Sequence, residues 1–153
     1  MQAASDSPTI HASAVLVGAK AVLIRGPSGC GKSRLVWDLI QAAAQNALPF
    51  ARLVADDRAI VEAQAGRLLV RPAPQLAGLI EIHGLGIRRL PYEPVAVVGI
   101  VIDLGAEDAA RLPAITAGNT HIRGVNLSRM ALLAGIPALP LVLASLKTIP
   151  AGN

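Results

Sequence analysis

Gly26, Pro27, Ser28, Gly29, Cys30, Gly31, Lys32 and Ser33 fit the pattern G-x-x-x-x-G-K-[ST] at every fixed position. Glycines at the first, fourth and sixth places let successive backbone N–H groups turn into one concavity, which is the right shape for a polyphosphate. A helix beginning at Lys32 adds its partial positive charge. Lys32 supplies a mobile cation for terminal phosphates, and the Ser33 hydroxyl is a ligand type suited to Mg²⁺. The bland reading is a glycine-rich turn between a strand and a helix, but such a turn does not call for the Lys-Ser pair in this register.

Carboxylates follow about two dozen residues later. Arg52 to Ala55 reads as a strand that ends in Asp56 and Asp57. One acid would hold Mg²⁺, directly or through water, and the other would take a proton from an attacking hydroxyl. Alternatively the pair opens a solvated turn. Glu81, alone in the apolar run Leu79–Ile82 and followed by Gly84 and Gly86, is a candidate second metal anchor or an ordinary surface residue of a strand. His11 stands at a strand end, where it either caps the strand or reaches the glycine loop. Cys30 is either a small filler at a variable loop position or an oxidisable thiol beside a helix N-terminus.

The elements that must position these groups can be read from periodicity. Thr9–Val17 and Lys20–Ile24 form a hairpin around Gly18 and Ala19, and its second strand feeds the glycine loop. Leu35 to Gln45 has apolar residues at helical spacing. Ala59–Glu62 and Arg67–Val70 predict a second hairpin, ended by Pro72 and Pro74. Val95 to Ile102 predicts a central buried strand, and Glu107 to Leu112 a helical turn. Thr120 to Asn126 predicts one more strand, with Asn126 or Ser128 capping a short helix through Met130–Leu133. Pro140 fits the first turn of a last helix running to about Thr148. Ala131 to Leu146 is apolar, but Gly135, Pro137 and Pro140 interrupt it, so it reads as buried helix and turn rather than a membrane span.

The 153 residues predict one domain, spanning 10–148, with flexible ends at 1–9 and 149–153. Hydrophobic residues make up 53% and aromatics 2%, so the core must be built from Ala, Val, Leu and Ile. The net charge is +4 without a basic run or stacking aromatics, which argues against nucleic acid and suits phosphate ligands or an acidic protein partner. A single cysteine excludes an intrachain disulfide and fits a reducing, cytoplasmic compartment; the first residues lack the order of a signal peptide.

Four segments stand in a particular order: Ile10–His11, the glycine loop, Leu53–Asp57 and Leu79–Ile87. Together they resemble the catalytic domain of HPr kinase/phosphorylase, in the short form that lacks the family's N-terminal domain. The resemblance implies a P-loop nucleotide-binding core with a mixed β-sheet flanked by helices, PEP-carboxykinase-like. It also implies ATP- and Mg²⁺-dependent phosphorylation of a serine on HPr, the small phosphocarrier of the phosphotransferase system.

Residues matching Ser33 and Glu81 hold the metal in that family, and the one matching Asp57 is the proton acceptor. Those matching His11, Lys32 and Arg111 are active-site residues, and Asp56 is the alternative base. The stretch matching Ile80–Arg89 serves both directions of the reaction. His83 stands where the family usually has arginine and Arg34 where it has glutamate, and the chain is shortened after Asp103. Kinase activity is therefore the expectation rather than the reverse phosphorylase, with no nucleic-acid or membrane partner and a homo-oligomer allowed. The competing readings are a small-molecule P-loop kinase or nucleotide hydrolase, and a nucleotide-sensing module without turnover.

Overall fold

The computed structural model describes residues 8–109, 118–149 and 151. Its first hairpin is β1 (Ile10–Val17) and β2 (Lys20–Arg25), antiparallel with Val17 opposite Lys20. Then come α1 (Lys32–Ala44), β3 (Ala51–Ala55), the hairpin β4 (Arg58–Gln64) and β5 (Arg67–Pro72), and the small hairpin β6 (Leu79–Ile82) and β7 (Gly86–Arg89). The chain continues through β8 (Ala96–Leu104), β9 (Asn119–Ile122), β10 (Val125–Leu132) and α2 (Ala138–Lys147).

Two features of the sheet position everything else. The long strand β8 runs parallel to β2 on one side and to β10 on the other, so the three strands end at one edge. Across that edge the order is β3, β1, β2, β8, β10, β9. The second feature is closure: β1 pairs β4, β4 pairs β5, and β5 pairs the start of β8, so β1, β2, β8, β5 and β4 form a ring of pairings. A small ring encloses little volume. The core cluster drawn from these strands accordingly uses Ala12, Ala14, Ala21, Ala59 and Ala96 beside Leu23, Leu68 and Val70.

β8 can serve both cores because it changes face at Gly99. Ala21 opposes Val98 but Val22 opposes Ile100, leaving Gly99 as the extra residue of a bulge. Ala96 and Val98 face the alanine-rich core, whereas Ile102 and Leu104 pack with the helices. A Cβ at Gly99 would lie 2.9 Å from Lys20 Cβ, so a side chain there would press on the neighbouring strand.

On the other face α1 buries Leu35, Val36, Leu39 and Ala42, the i, i+1, i+4, i+7 stripe of an amphipathic helix. Each such Leu or Val contributes roughly 1.5–3 kcal/mol on burial. Asn46 ends the helix at φ 66°, with Ala47 N–H donating to Ala42 O and Asn46 N–H to Ala43 O, a Schellman closure that precedes Pro49.

The C-terminal third corrects the sequence reading. Thr120–Asn126 is two strands, not one, because Arg123 (φ 52°) and Gly124 (φ 80°) turn the chain between β9 and β10. Met130–Leu133 does not begin a helix capped by Asn126 or Ser128: Ser128 to Leu132 pair in parallel with Ile100 to Leu104. The ladder offered by β8 outweighs the weak local capping signal. Glu107 and Asp108 lie in a turn, and the rest of the expected helical turn falls outside the described residues. The last helix starts two residues before Pro140, which lies in its first turn.

Candidate active site

β2 delivers the glycine loop to the shared edge, and α1 leaves from it. Gly31 is the residue before the helix, at φ 101°, and no side chain caps the helix start. Gly26 has φ 153°, and a Cβ there would sit 2.5 Å from Cys30 Sγ and 2.8 Å from Leu104 O, so only glycine fits. Cys30 is thus packed beneath the loop, half-buried, while Pro27, Ser28 and Gly29 form an exposed crest. Lys32 is buried, and its ammonium donates to Gly26 O at 2.9 Å and Pro27 O at 3.2 Å. An ammonium has three donors, so beyond these two bonds Lys32 has one N–H to offer.

The carboxylates stand on the β1/β3 flank. Asp56 is 7% exposed and accepts three hydrogen bonds: Ser33 Oγ at 2.6 Å, Ser13 Oγ at 2.8 Å and the Glu81 amide at 3.0 Å. It therefore ties together the helix start, β1 and the β6–β7 hairpin. Asp57 follows at φ 70°, a left-handed conformation that an Asp tolerates, and this turns its side chain away from Asp56 into the open. Its carboxylate meets His11 Nε2 at 2.7 Å, its amide is held by Ser13 Oγ at 3.0 Å, and its carbonyl accepts from the Ala12 amide.

The two acids, His11, Lys32 and Ser33 are thus brought to one flank of the loop. Glu81 is joined to them through its backbone amide, and its side chain is exposed. His83 lies exposed in the β6–β7 turn, and Arg111 falls outside the described residues.

Sequence reasoning missed Ser13. It is completely buried, donates to Asp56 and accepts from Asp57 N–H, so one hydroxyl sets both acids. The available signal was a second polar side chain, after His11, in the otherwise apolar strand Ile10–Val17. A second missed group braces the loop from below. Arg25, immediately before Gly26, forms a bidentate pair with Asp103 at 2.7 and 2.8 Å. Arg129 also donates to Asp103 and reaches Asp108 with two bonds of 2.9 Å. Burial alone would raise the Asp103 carboxyl, but hydrogen bonds from Arg25 and Arg129, and their charges, outweigh it and hold it below the usual carboxylate value. Asp108 is lowered by its bonds with Arg129, and the Arg129 guanidinium is pushed up by Asp108 and Asp103.

Among the described residues no group of three or more His, Cys, Asp or Glu side chains forms a ready-made metal cage. A hydroxyl and one buried carboxylate 2.6 Å apart are nonetheless donor types that suit Mg²⁺, an ion that usually takes its remaining ligands from phosphates and waters. No helix among the described residues is long and apolar enough to cross a membrane.

The architecture defines a class first: an α/β protein of a large mixed sheet, a small two-stranded sheet and packed helices. It is shared with the solved Hpr(Ser) kinase/phosphatase from Coxiella burnetii at a TM-score of 0.69 and 26% identity, covering 91% of this chain and 93% of that one. The model of the HPr Serine kinase C-terminal domain matches residues 2–90, and the chain belongs to that family. HPr kinase/phosphorylase of Mycoplasma mycoides is 41% identical over 83 residues, covering 53% of this chain and 24% of that protein. The Limosilactobacillus reuteri enzyme is 40% identical over 80 residues, covering 52% and 23%. The chain spans about a quarter of the length of these curated relatives.

Proposed function

We propose that this chain is an ATP-dependent kinase that phosphorylates a serine of the phosphocarrier HPr, on a P-loop core of PEP-carboxykinase-like type. The observation that carries the reading is the division of labour between adjacent acids. Asp56 is buried and bound to Ser33, whereas the Asp57 carboxylate is exposed and, among the described residues, pairs with His11 alone.

The loop N–H groups from Ser28 to Ser33 and the Lys32 ammonium bind the phosphates. Lys32 moves from the Gly26 and Pro27 carbonyls to do so. Ser33 and Asp56, with Glu81 at their side, would hold Mg²⁺, and the ion would supply charge compensation for the phosphates. Asp57 accepts the proton of the acceptor serine, and His11 orients that carboxylate. Exposure suits Asp57 to this task, because a protein hydroxyl must reach it from solvent. Arg111 is proposed as a further active-site residue on the family resemblance alone. The reaction belongs to the cytoplasm, where HPr is found. Catalysis comes mainly from positioning and charge compensation.

The test is transfer of labelled phosphate from ATP to purified HPr, against HPr whose acceptor serine is replaced by alanine. Label on the first alone is expected. Bound ATP with label on neither would replace the kinase by a nucleotide sensor.

A further inference from the structure

The three parallel strands that end at the loop edge close the alanine-rich core in the same way. On each, an apolar residue of that core is followed two places later by a charged one: Leu23 and Arg25 on β2, Val101 and Asp103 on β8, Leu127 and Arg129 on β10. Alternation keeps the charged side chains on the same face. There Arg25 and Arg129 both donate to Asp103, Arg129 also binds Asp108, and Asp103 and Arg129 are each 13% exposed. The two chains then run on in step. Arg25 is opposite Asp103 in the ladder; next, a Cβ at Gly26 would meet Leu104 O at 2.8 Å, and one at Gly105 would meet Pro27 Cδ at 3.7 Å. Gly26 and Pro27 are the two residues whose carbonyls hold Lys32.

We propose that Asp103 is a positioning residue for polyphosphate binding: clamped between Arg25 and Arg129, it fixes the entry to the glycine loop against the end of β8 and so aims the loop N–H groups and Lys32. This role rests on the kinase reading only in taking a polyphosphate to lie over the loop. The need for such a clamp is visible at Gly99, where the same β2–β8 ladder shifts by one residue. One residue out of step, Arg25 would stand opposite Ile102 or Leu104, both buried and apolar, and its charge would have no carboxylate to meet. The Arg25 guanidinium takes both Asp103 oxygens, so the clamp fixes an angle as well as a distance, which a lysine ammonium does not. Charge by itself works the other way. A carboxylate near a phosphate site repels the anion, so Asp103 would weaken binding if it acted through Coulomb forces alone.

The experiment measures binding of Mg–tripolyphosphate and Mg–ATP to the full chain by titration calorimetry, well below the unfolding transition of each variant and with no acceptor protein. Asp103→Asn removes a negative charge near the loop, so an electrostatic role alone tightens binding, and a structural role alone lowers the melting temperature with affinity unchanged. With Asp103 as the clamp, affinity for both ligands should instead fall by about threefold or more. Arg25→Lys keeps every charge and loses the fork. Its affinity should also fall by about threefold or more, and it carries the test should Asp103→Asn not fold. Glu62→Gln makes the same charge change at the Arg71 ion pair of the β4–β5 hairpin, and its affinity should stay within about twofold of wild type.

A loss smaller than about threefold, or tighter binding, in either folded variant overturns the positioning role. An equal loss in Glu62→Gln overturns it too, because the effect would then follow stability and not the clamp. If the wild type binds neither ligand, the phosphate-loop reading falls and the role of Asp103 with it. Wild-type binding with the expected losses, but without transfer to HPr, refutes the acceptor assignment and leaves Asp103 as a positioning residue.

Discussion

Replacing Ser13 by alanine removes one oxygen atom and two hydrogen bonds. The hydroxyl is completely buried, so no solvent takes its place on the Asp56 side. A hydrogen bond to a charged acceptor is worth about 1.5–3 kcal/mol, and the bond from the Asp57 amide about 0.5–1.5 kcal/mol. Alanine preserves the backbone conformation and nearly the volume of the site, so the expected loss is about 2–4 kcal/mol out of the roughly 5–15 kcal/mol that holds a domain together. The melting temperature should fall by about 4–16 °C, at roughly 2–4 °C per kcal/mol for a chain of this length.

Urea unfolding followed through Trp37, the single tryptophan, reads this directly, because Trp37 is on α1 beside the residues the site connects. A double-mutant cycle with Asp56→Asn should return a coupling of about 1 kcal/mol or more, since each side chain is the other's partner. A loss under about 0.5 kcal/mol, the range of ordinary surface changes, would mean that Ser13 organises neither acid. The division of roles between Asp56 and Asp57 would then lose its structural basis.

Asp57→Asn should abolish transfer to HPr while leaving ATP affinity within about twofold and stability within about 0.5 kcal/mol, because its side chain is exposed. Full kinase activity in that variant would pass the role of base to Asp56. Asp103 and Asp108 have carboxyl groups lowered in the folded state, so their contribution is complete above the unfolded value of 3.8 and is lost as pH falls through the lower folded values. Asp103→Asn should therefore be less stable than wild type at pH 6 but show a shallower decline in unfolding free energy below about pH 4; parallel curves would contradict this. Gly99→Ala should destabilise by about 1–3 kcal/mol through overpacking against Lys20, and chemical denaturation showing no loss would mean that the bulge yields freely.

Local signals were enough for the first two thirds of the fold. The apolar runs Thr9–Val17 and Lys20–Ile24 on either side of Gly18, helical spacing after Lys32, and the turn signal before Arg67 each name an element without help from elsewhere. Beyond Asp103 the same reasoning failed where partners decide. Met130 to Leu132 have little local reason to be a strand, and they become one because β8 lies alongside with its ladder groups open.

The residues themselves declared a candidate phosphate loop and an acid pair, because backbone freedom at Gly26 and Gly31 and the functional groups of Lys32, Ser33, Asp56 and Asp57 are properties of residue type and spacing. Only the folded sheet could say which acid is buried and which is open, that Ser13 joins them, and that Asp103 meets Arg25 and Arg129 from the strand between theirs. Those are contacts between strands distant in the chain, and strand order, not spacing along one segment, brings them within hydrogen-bond reach.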